Sequence, residues 1–344
     1  MIEAAPVWND RVPMRVVTNP SADWWFDVTL RSDAATFFHT PIWSEIGRSC
    51  FHGIDRTLGF EFRNGVRAVL PIMETGRHRR RPILESTVAG CYGGLVSTAP
   101  LDRHQLRAIR LRLTAFGYHT FEYLESPLGA DGTVSDGTDS LGLRGARSRL
   151  ESAWLIDLDP DFDTVFHRFQ PRLRTHYRSG VAKGVKVELG TSIDDYRAHY
   201  EAYREAVGRW GEDDDYGYDW SVFERIHDVS GRYPDNIKLW VADVDGEAVG
   251  GRLVFYWQGH AALWHGSVRS EYLNHHVVPV LDIEIARDAA RAGLDAYDLN
   301  TTGDLPGVIE YKRRFRSREV PLRIWSHESV PFRAVRSAKG RLGR

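Results

Sequence analysis

The chain has 344 residues, 42% of them hydrophobic, 12% aromatic and 27% charged, with 45 basic against 47 acidic side chains for a formal net charge of −2. This composition excludes disordered, collagen-like and membrane-embedded classes, and the length sets an expectation of about two domains. Two cysteines without C-x-x-C spacing, Cys50 and Cys91, and the absence of a long apolar run or signal stretch predict a reduced, cytoplasmic protein.

In chain order, the first clear element is a helix over Ile42–Gly47, entered through Thr40-Pro41, where a proline's missing N–H does no harm. Arg56–Met73 reads as two strands joined at Asn64-Gly65, a hairpin signal because a type I′ turn needs positive φ at both central residues. A Gly-rich strand or loop over Ala89–Ser97 and an amphipathic helix over Arg103–Phe116 follow, then a polar loop over Asp131–Ser140. Helices are expected over Asp163–Gly184 and Ile193–Trp210, and a second hairpin over Lys238–Tyr256 turns at Asp245-Gly246. Strand Ala261–Val268, helix Pro279–Ala292, strand Ala296–Leu299 and a loop closing on Tyr311-Lys312 complete the pattern. Recurrence of the hairpin after about 180 residues suggests two copies of one unit. The expected fold class is α/β (α+β), each copy a mixed sheet flanked by helices. The expected domains are 1–150 and 151–318, with the tail 319–344 returning to the first.

The near-neutral net charge hides clusters. Val165–Val187 holds Arg168, Arg172, Arg174, Arg178, Lys183 and Lys186 with no carboxylate, Lys312–Arg344 holds eleven basic residues against Glu319 and Glu328, and Arg77–Arg81 reads RHRRR. Acidic compensation lies at Glu212–Asp215. Such clusters suggest a polyanionic ligand. Phosphate-loop, G-x-G-x-x-G, H-E-x-x-H and G-x-S-x-G motifs are all absent, which removes the usual support for ATP hydrolysis, nicotinamide binding, zinc-protease and serine-hydrolase chemistry. Adjacent His275 and His276 project differently and have no second ligand pair at helical spacing, so no metal is expected.

Several segments, taken in order, resemble FemABX-like transferases, tandem members of the GNAT acyltransferase superfamily. They are Phe37-Phe-His-Thr-Pro-Ile-Trp43, Leu70-Pro-Ile72 with Tyr92-Gly-Gly94, Arg172-Leu-Arg-Thr-His-Tyr-Arg178 ending in Lys183-Gly-Val185, and Tyr297-Asp-Leu299 leading to Gly307–Phe315. The resemblance spans nearly the whole chain. It implies two GNAT-like domains, an active site in the second, and transfer of an aminoacyl group from aminoacyl-tRNA to an amine of a peptidoglycan precursor or an antibiotic intermediate, with no further cofactor. An acyl-CoA donor on the same fold, and a non-catalytic tandem that binds RNA or a partner, are the alternatives.

The resemblance places Lys312 near the reacting ester, where a fixed ammonium would stabilise the developing oxyanion; a surface lysine opening a basic strand is the other reading. Tyr311 would position the adenosine or donate its hydroxyl, or else be a half-buried strand residue. Arg174 and Arg178, four apart, would share a helix face and grip phosphates with Arg172 nearby. Asp304 and Glu310 are both candidates to accept a proton from the attacking ammonium. His265 falls on a strand expected to splay, or else is a core histidine satisfied by backbone; Asn300 lies in a turn able to offer donors to substrate; and Trp43 and Tyr92 either pack in the first domain or line its groove. The acyl-CoA loop [QR]-x-x-G-x-[GA] is missing, and Ser270–Pro279 stands in its place, which favours a tRNA-borne donor. No lysine follows Trp43 at the position of a cell-wall-precursor contact, and no long helical hairpin is present.

Overall fold

A computed structural model describes residues 14–129, 141–210, 217–303 and 305–329, with the side chains of 209 and 210 left aside. The chain separates into two compact units, residues 1–151 with 321–344 and residues 152–320. The loop expected over 131–140 and the acidic run 212–215 lie outside the described residues.

Unit 1 opens with β1 (Met14–Thr18), α1 (Ala22–Leu30) and α2 (Pro41–Cys50). Thr40 caps α2, its hydroxyl accepting from the Trp43 N–H at 3.4 Å, and Pro41 occupies the first turn. Strands β2 (Ile54–Asp55), β3 (Leu58–Phe62), β4 (Arg67–Leu70), β5 (Met73–His78), β6 (Arg81–Glu85) and β7 (Val96–Ser97) come next. They are followed by α3 (Arg103–Ala115) and β8 (Thr120–Leu124). An antiparallel sheet runs β1-β3-β4-β7. In a second ladder β2, β5, β6 and β8 lie in that order, and β8 pairs antiparallel with β15 (Arg318–Glu328), the last strand among the described residues. Phe60, Leu70, Leu84, Ile109, Phe121 and Trp325 share its buried core. The Gly-rich stretch forms strand only at Val96–Ser97.

Unit 2 contains the second part of β9 (Arg147–Asp157), from Ser152 on, with α4 (Phe162–Arg168), α5 (Pro171–Ala182), β10 (Lys186–Gly190), α6 (Ile193–Trp210) and α7 (Trp220–Ser230). It continues with β11 (Ile237–Val244), β12 (Glu247–Trp257), β13 (His260–Val268), α8 (Val277–Arg291), β14 (Ala296–Thr301) and α9 (Pro306–Arg313). Its strands lie in the order β10-β11-β12-β13-β14-β9, with β13 and β14 the parallel pair. Helix α8 is buried over most of its surface, Val277, Val280, Leu281, Ile283, Ile285 and Ala286 lying in the core and Glu284, Arg287 and Asp288 only half-buried, so it is a core helix.

Three expectations need correction. The single helix over 163–184 is two, because Pro171 starts α5 and forces Gln170 out of the helical region, to ψ 143. The segment holding Tyr311 and Lys312 is neither loop nor strand: Pro306 initiates α9, which contains both residues. The two hairpin turns also differ. Asp245 and Gly246 have φ of 54 and 86, as a type I′ turn requires, whereas at Asn64-Gly65 only Gly65 is left-handed, with φ 82. There the Gly65 N–H donates to Phe62 O at 2.9 Å, and the Phe62 N–H to Val66 O at 2.9 Å, making a three-residue loop.

Candidate active site

The parallel ladder between β13 and β14 covers only His260–Ala262 against Ala296–Asp298. Beyond it β13 stays paired with β12 and β14 with β9, so a wedge opens between Leu263–Val268 and Leu299–Thr301. Two local features produce this opening. Leu253 pairs with His265 but Val254 with Leu263, so Trp264 is the extra residue of a β-bulge, a device that re-aims neighbouring side chains. Asn300 is left-handed, φ 64, and its N–H turns to Asp298 Oδ1 at 2.6 Å. Its side-chain Nδ2 reaches across to Leu263 O at 3.0 Å, so an amide side chain spans the gap where a backbone donor would have closed it.

Helix α9 is fixed beside this wedge by two adjacent residues. Lys312 is 5% exposed, and its Nζ donates to Asn300 O (2.8 Å), Thr301 O (2.9 Å) and Thr302 Oγ1 (2.9 Å). An ammonium has three N–H donors, so these acceptors engage all of them. Lys312 therefore organises the end of β14 instead of presenting a free charge to a reacting carbonyl. The Tyr311 hydroxyl donates to Asp282 Oδ2 at 2.6 Å, so it too is committed within the fold and is not a free phenol.

Asp282 is the centre of a network that the sequence reading missed. It is fully buried on α8 and accepts from Arg252 Nε at 2.9 Å, Arg252 Nη2 at 3.3 Å and the Tyr297 hydroxyl at 3.3 Å besides Tyr311. Four donors on two oxygens fill the carboxylate's acceptor capacity. Burial, and after it the Asp282 charge, raises both phenols well above their ordinary pKa, so they stay neutral donors. Burial opposes the Arg252 charge, yet attraction and hydrogen bonding from Asp282 outweigh it and the guanidinium is held more firmly protonated than usual. The network ties β12, β14 and α9 to α8.

The other face of the same strands carries a histidine pair. His199 of α6 places Nε2 2.9 Å from His265 Nδ1, and the rings of Tyr203, Phe223, Trp264 and Tyr218 surround His265 at 4.5, 5.1, 5.8 and 6.1 Å. Burial, then the Arg252 charge, pushes His265 down to about 3; burial, then His265 and Arg252, pushes His199 well below its ordinary value. Both rings are neutral near pH 7. His199 Nδ1 is buried without a hydrogen-bond partner, which assigns the shared proton to His199 Nε2, since a buried lone pair costs less than a buried N–H.

The remaining candidates do not converge on the wedge. Arg174 and Arg178 do share a face, but it is turned to α4: Arg174 Nη1 lies 3.4 Å from His167 Nδ1, and the Arg178 guanidinium sits 5.8 Å over Phe166. Arg172 is exposed and acts on His176, on a different side of the helix. Glu310 is exposed, 3.7 Å from Arg314 Nε one turn on. Asp304 lies outside the described residues. Trp43 and Tyr92, 2% and 0% exposed, pack against Phe38 at 5.1 and 5.9 Å in the interior of unit 1, so neither lines an open groove.

The N-terminal turn of α8, where the acyl-CoA loop would stand, packs against α5. A Cβ on Gly180 would lie 2.6 Å from Val280 Cγ2, 3.0 Å from His275 O and 3.2 Å from His276 O. His176 stacks on His276 at 4.3 Å and 9°, and Lys183 Nζ donates to Asn274 O at 2.6 Å. Pro279 also removes one N–H from the first turn.

A mixed sheet whose central parallel strands part beside a buried helix is the build of a GNAT-like domain. Residues 167–313 match the family model described as an acetyltransferase (GNAT) domain. Over its length the chain has a FemX-like fold: a crystal structure of FemX superposes with a TM-score of 0.69 at 12% identity, covering 90% of this chain and 96% of that one. The C-terminal DUF2156 domain of a protein assigned as a lysylphosphatidylglycerol synthetase from Agrobacterium fabrum gives 0.57 at 13% identity over 88% and 90%. A tandem GNAT protein from the clavulanic acid biosynthesis pathway gives 0.54 at 13% identity over 92% and 98%. No curated protein sequence matches the chain. Among the described residues no helix is long and apolar enough to cross a membrane.

Proposed function

We propose that the protein is an aminoacyltransferase that moves an amino acid from aminoacyl-tRNA to an amine, forming an amide with no covalent enzyme intermediate. The observation that carries this reading is the packing of α5 against the N-terminal turn of α8. An acyl-CoA pyrophosphate needs open N–H groups there, whereas Gly180, His176 and Lys183 of the α5 segment bring helix and side chains against this turn and Pro279 removes one of its N–H groups.

In this scheme the donor ester enters the wedge between β13 and β14. The amine nitrogen attacks the ester carbonyl carbon, the carbon–oxygen bond to the terminal ribose breaks, and the leaving oxygen takes a proton from the nitrogen. Backbone donors at the parted strand edges stabilise the oxyanion. Lys312 and Asn300 act as positioning residues that hold the β14 end in the shape of the wedge, and Tyr311 holds α9 through Asp282. The aromatic box around His265 offers an apolar, neutral wall to the acceptor. The acceptor would be an amine of a peptidoglycan precursor or of a small antibiotic intermediate, and the protein would work in the cytoplasm.

An acyl-CoA donor is the second reading, favoured by the acetyltransferase family model over 167–313. Calorimetric titration with CoA and acetyl-CoA separates the two. The tRNA reading expects no binding up to about 1 mM; saturable micromolar binding overturns it.

A further inference from the structure

The hairpin β5–β6 of unit 1 turns through two residues, Arg79 and Arg80, between the paired His78 and Arg81. Both are left-handed, with φ of 46 and 68, so this is a type I′ turn. Such turns favour Asn-Gly or Asp-Gly, because other side chains crowd the backbone when φ is positive. The chain follows that preference at Asp245-Gly246, where φ is 54 and 86. At β5–β6 it places two arginines in the same conformation, at a steric cost that Asn-Gly would avoid.

The surroundings show what those arginines have that Asn-Gly would not. Both are exposed, and among the described residues neither has a hydrogen bond or ion pair. Their neighbours are occupied: Arg77 Nε lies 2.5 Å from Glu74 Oε1, and Arg81 Nη1 donates to Ser329 Oγ at 3.2 Å. The hairpin's own carboxylates are held at its base, Glu74 by Arg56 and Arg77, and Glu85 by the Thr75 hydroxyl at 2.9 Å. The ribbon thus ends in two guanidinium groups that no carboxylate among the described residues pairs with.

We propose that this turn is an RNA-binding surface on which Arg79 and Arg80 grip the phosphodiester backbone. Arginine's planar fork binds phosphate oxygens bidentately, and the run 77–81 holds four arginines and no lysine. A lipid surface fits less well, because the tip carries no apolar side chain to insert and stable adsorption needs a second anchor. The proposal rests on the donor reading above only in making the bound RNA a tRNA.

The test is the double variant Arg79→Asn, Arg80→Gly in the full chain, with deacylated total tRNA as the probe. It removes both charges while giving the turn its preferred residues. The expected result is an equal or higher melting temperature, roughly tenfold weaker tRNA binding at 0.1 M salt, and a log–log salt slope smaller by about two. Arg79→Lys, Arg80→Lys keeps the charge and should retain most of the slope. Unchanged tRNA affinity in the Asn-Gly variant overturns the proposal, as does a lower melting temperature, which would mean the arginines serve the fold. Normal tRNA binding with lost adsorption to vesicles containing phosphatidylserine would assign the turn to a membrane instead. Binding uses deacylated tRNA, so failure of the donor reading would leave this result standing.

Discussion

Replacing Lys312 with Met tests how α9 and the β14 end hold each other. The substitution keeps the aliphatic stem and removes the ammonium, leaving Asn300 O, Thr301 O and Thr302 Oγ1 without the donor that satisfies them at 2.8–2.9 Å. Each buried acceptor left unpaired costs about 1–3 kcal/mol. Asn300 and Thr301 are only half-buried, so water recovers part of this, and the ammonium's own desolvation cost disappears. The net expectation is about 2–4 kcal/mol of destabilisation. At about 2–4 °C per kcal/mol for a domain of this size, the melting transition should fall by about 5–15 °C. Turnover should fall with it, chiefly through kcat, because the wedge loses its shape while the outer binding surfaces persist. Calorimetry paired with single-turnover amide formation reads both effects. A melt within about 1 °C of wild type, with turnover lost, would show that Lys312 acts on the reactants directly and would refute the positioning role.

Other expectations follow from the buried groups. Asp282→Asn leaves the Arg252 charge uncompensated and should cost about 3–5 kcal/mol by denaturant unfolding, whereas Tyr311→Phe removes one of four donors and should cost about 1 kcal/mol; equal effects would contradict the network. His199 and His265 are both depressed, so their contribution to stability is fully present above about pH 6.5 and is lost as pH falls, for His265 towards about 3. His265 should contribute a slope of about 1.4 kcal/mol per pH unit in that window, and His265→Phe should flatten the profile measured by urea unfolding; an unchanged profile would refute the assignment. Gly180→Val pushes a side chain into Val280 and the His275 carbonyl and should destabilise unit 2 by about 1–3 kcal/mol without creating CoA binding.

Much of the fold was legible because its signals are local. Thr40-Pro41, Asp245-Gly246 and the apolar pattern of α8 each fix their own geometry through capping, turn sterics or burial. Pro171 and Pro306 were equally local signals, and reading them as helix starts would have divided 163–184 and placed Tyr311 and Lys312 on a helix. The site was harder to read because its parts meet only through the sheet. Arg252 and Asp282 are thirty positions apart, yet Arg252 is the lone charge in AVGGRLVFYW and Asp282 sits between Leu281 and Ile283 in an otherwise apolar stretch, VVPVLDI, and two opposite charges so placed are a signal for a buried pair. Nothing local marks the bulge at Trp264 or the left-handed Asn300, since both follow from how three strands compete for one edge. The shared face of Arg174 and Arg178 was legible from their spacing, but the direction of that face was set by α4, which no spacing in α5 reveals.

Transfer of labelled amino acid from charged tRNA is the most direct measurement. The protein is mixed with total aminoacyl-tRNA carrying radiolabelled amino acids and a panel of amine acceptors, with and without prior RNase treatment, and label is counted after alkaline hydrolysis of esters. The account predicts base-stable label on an amine, lost when the RNA is degraded. Base-stable product formed from acyl-CoA and not from charged tRNA would contradict it.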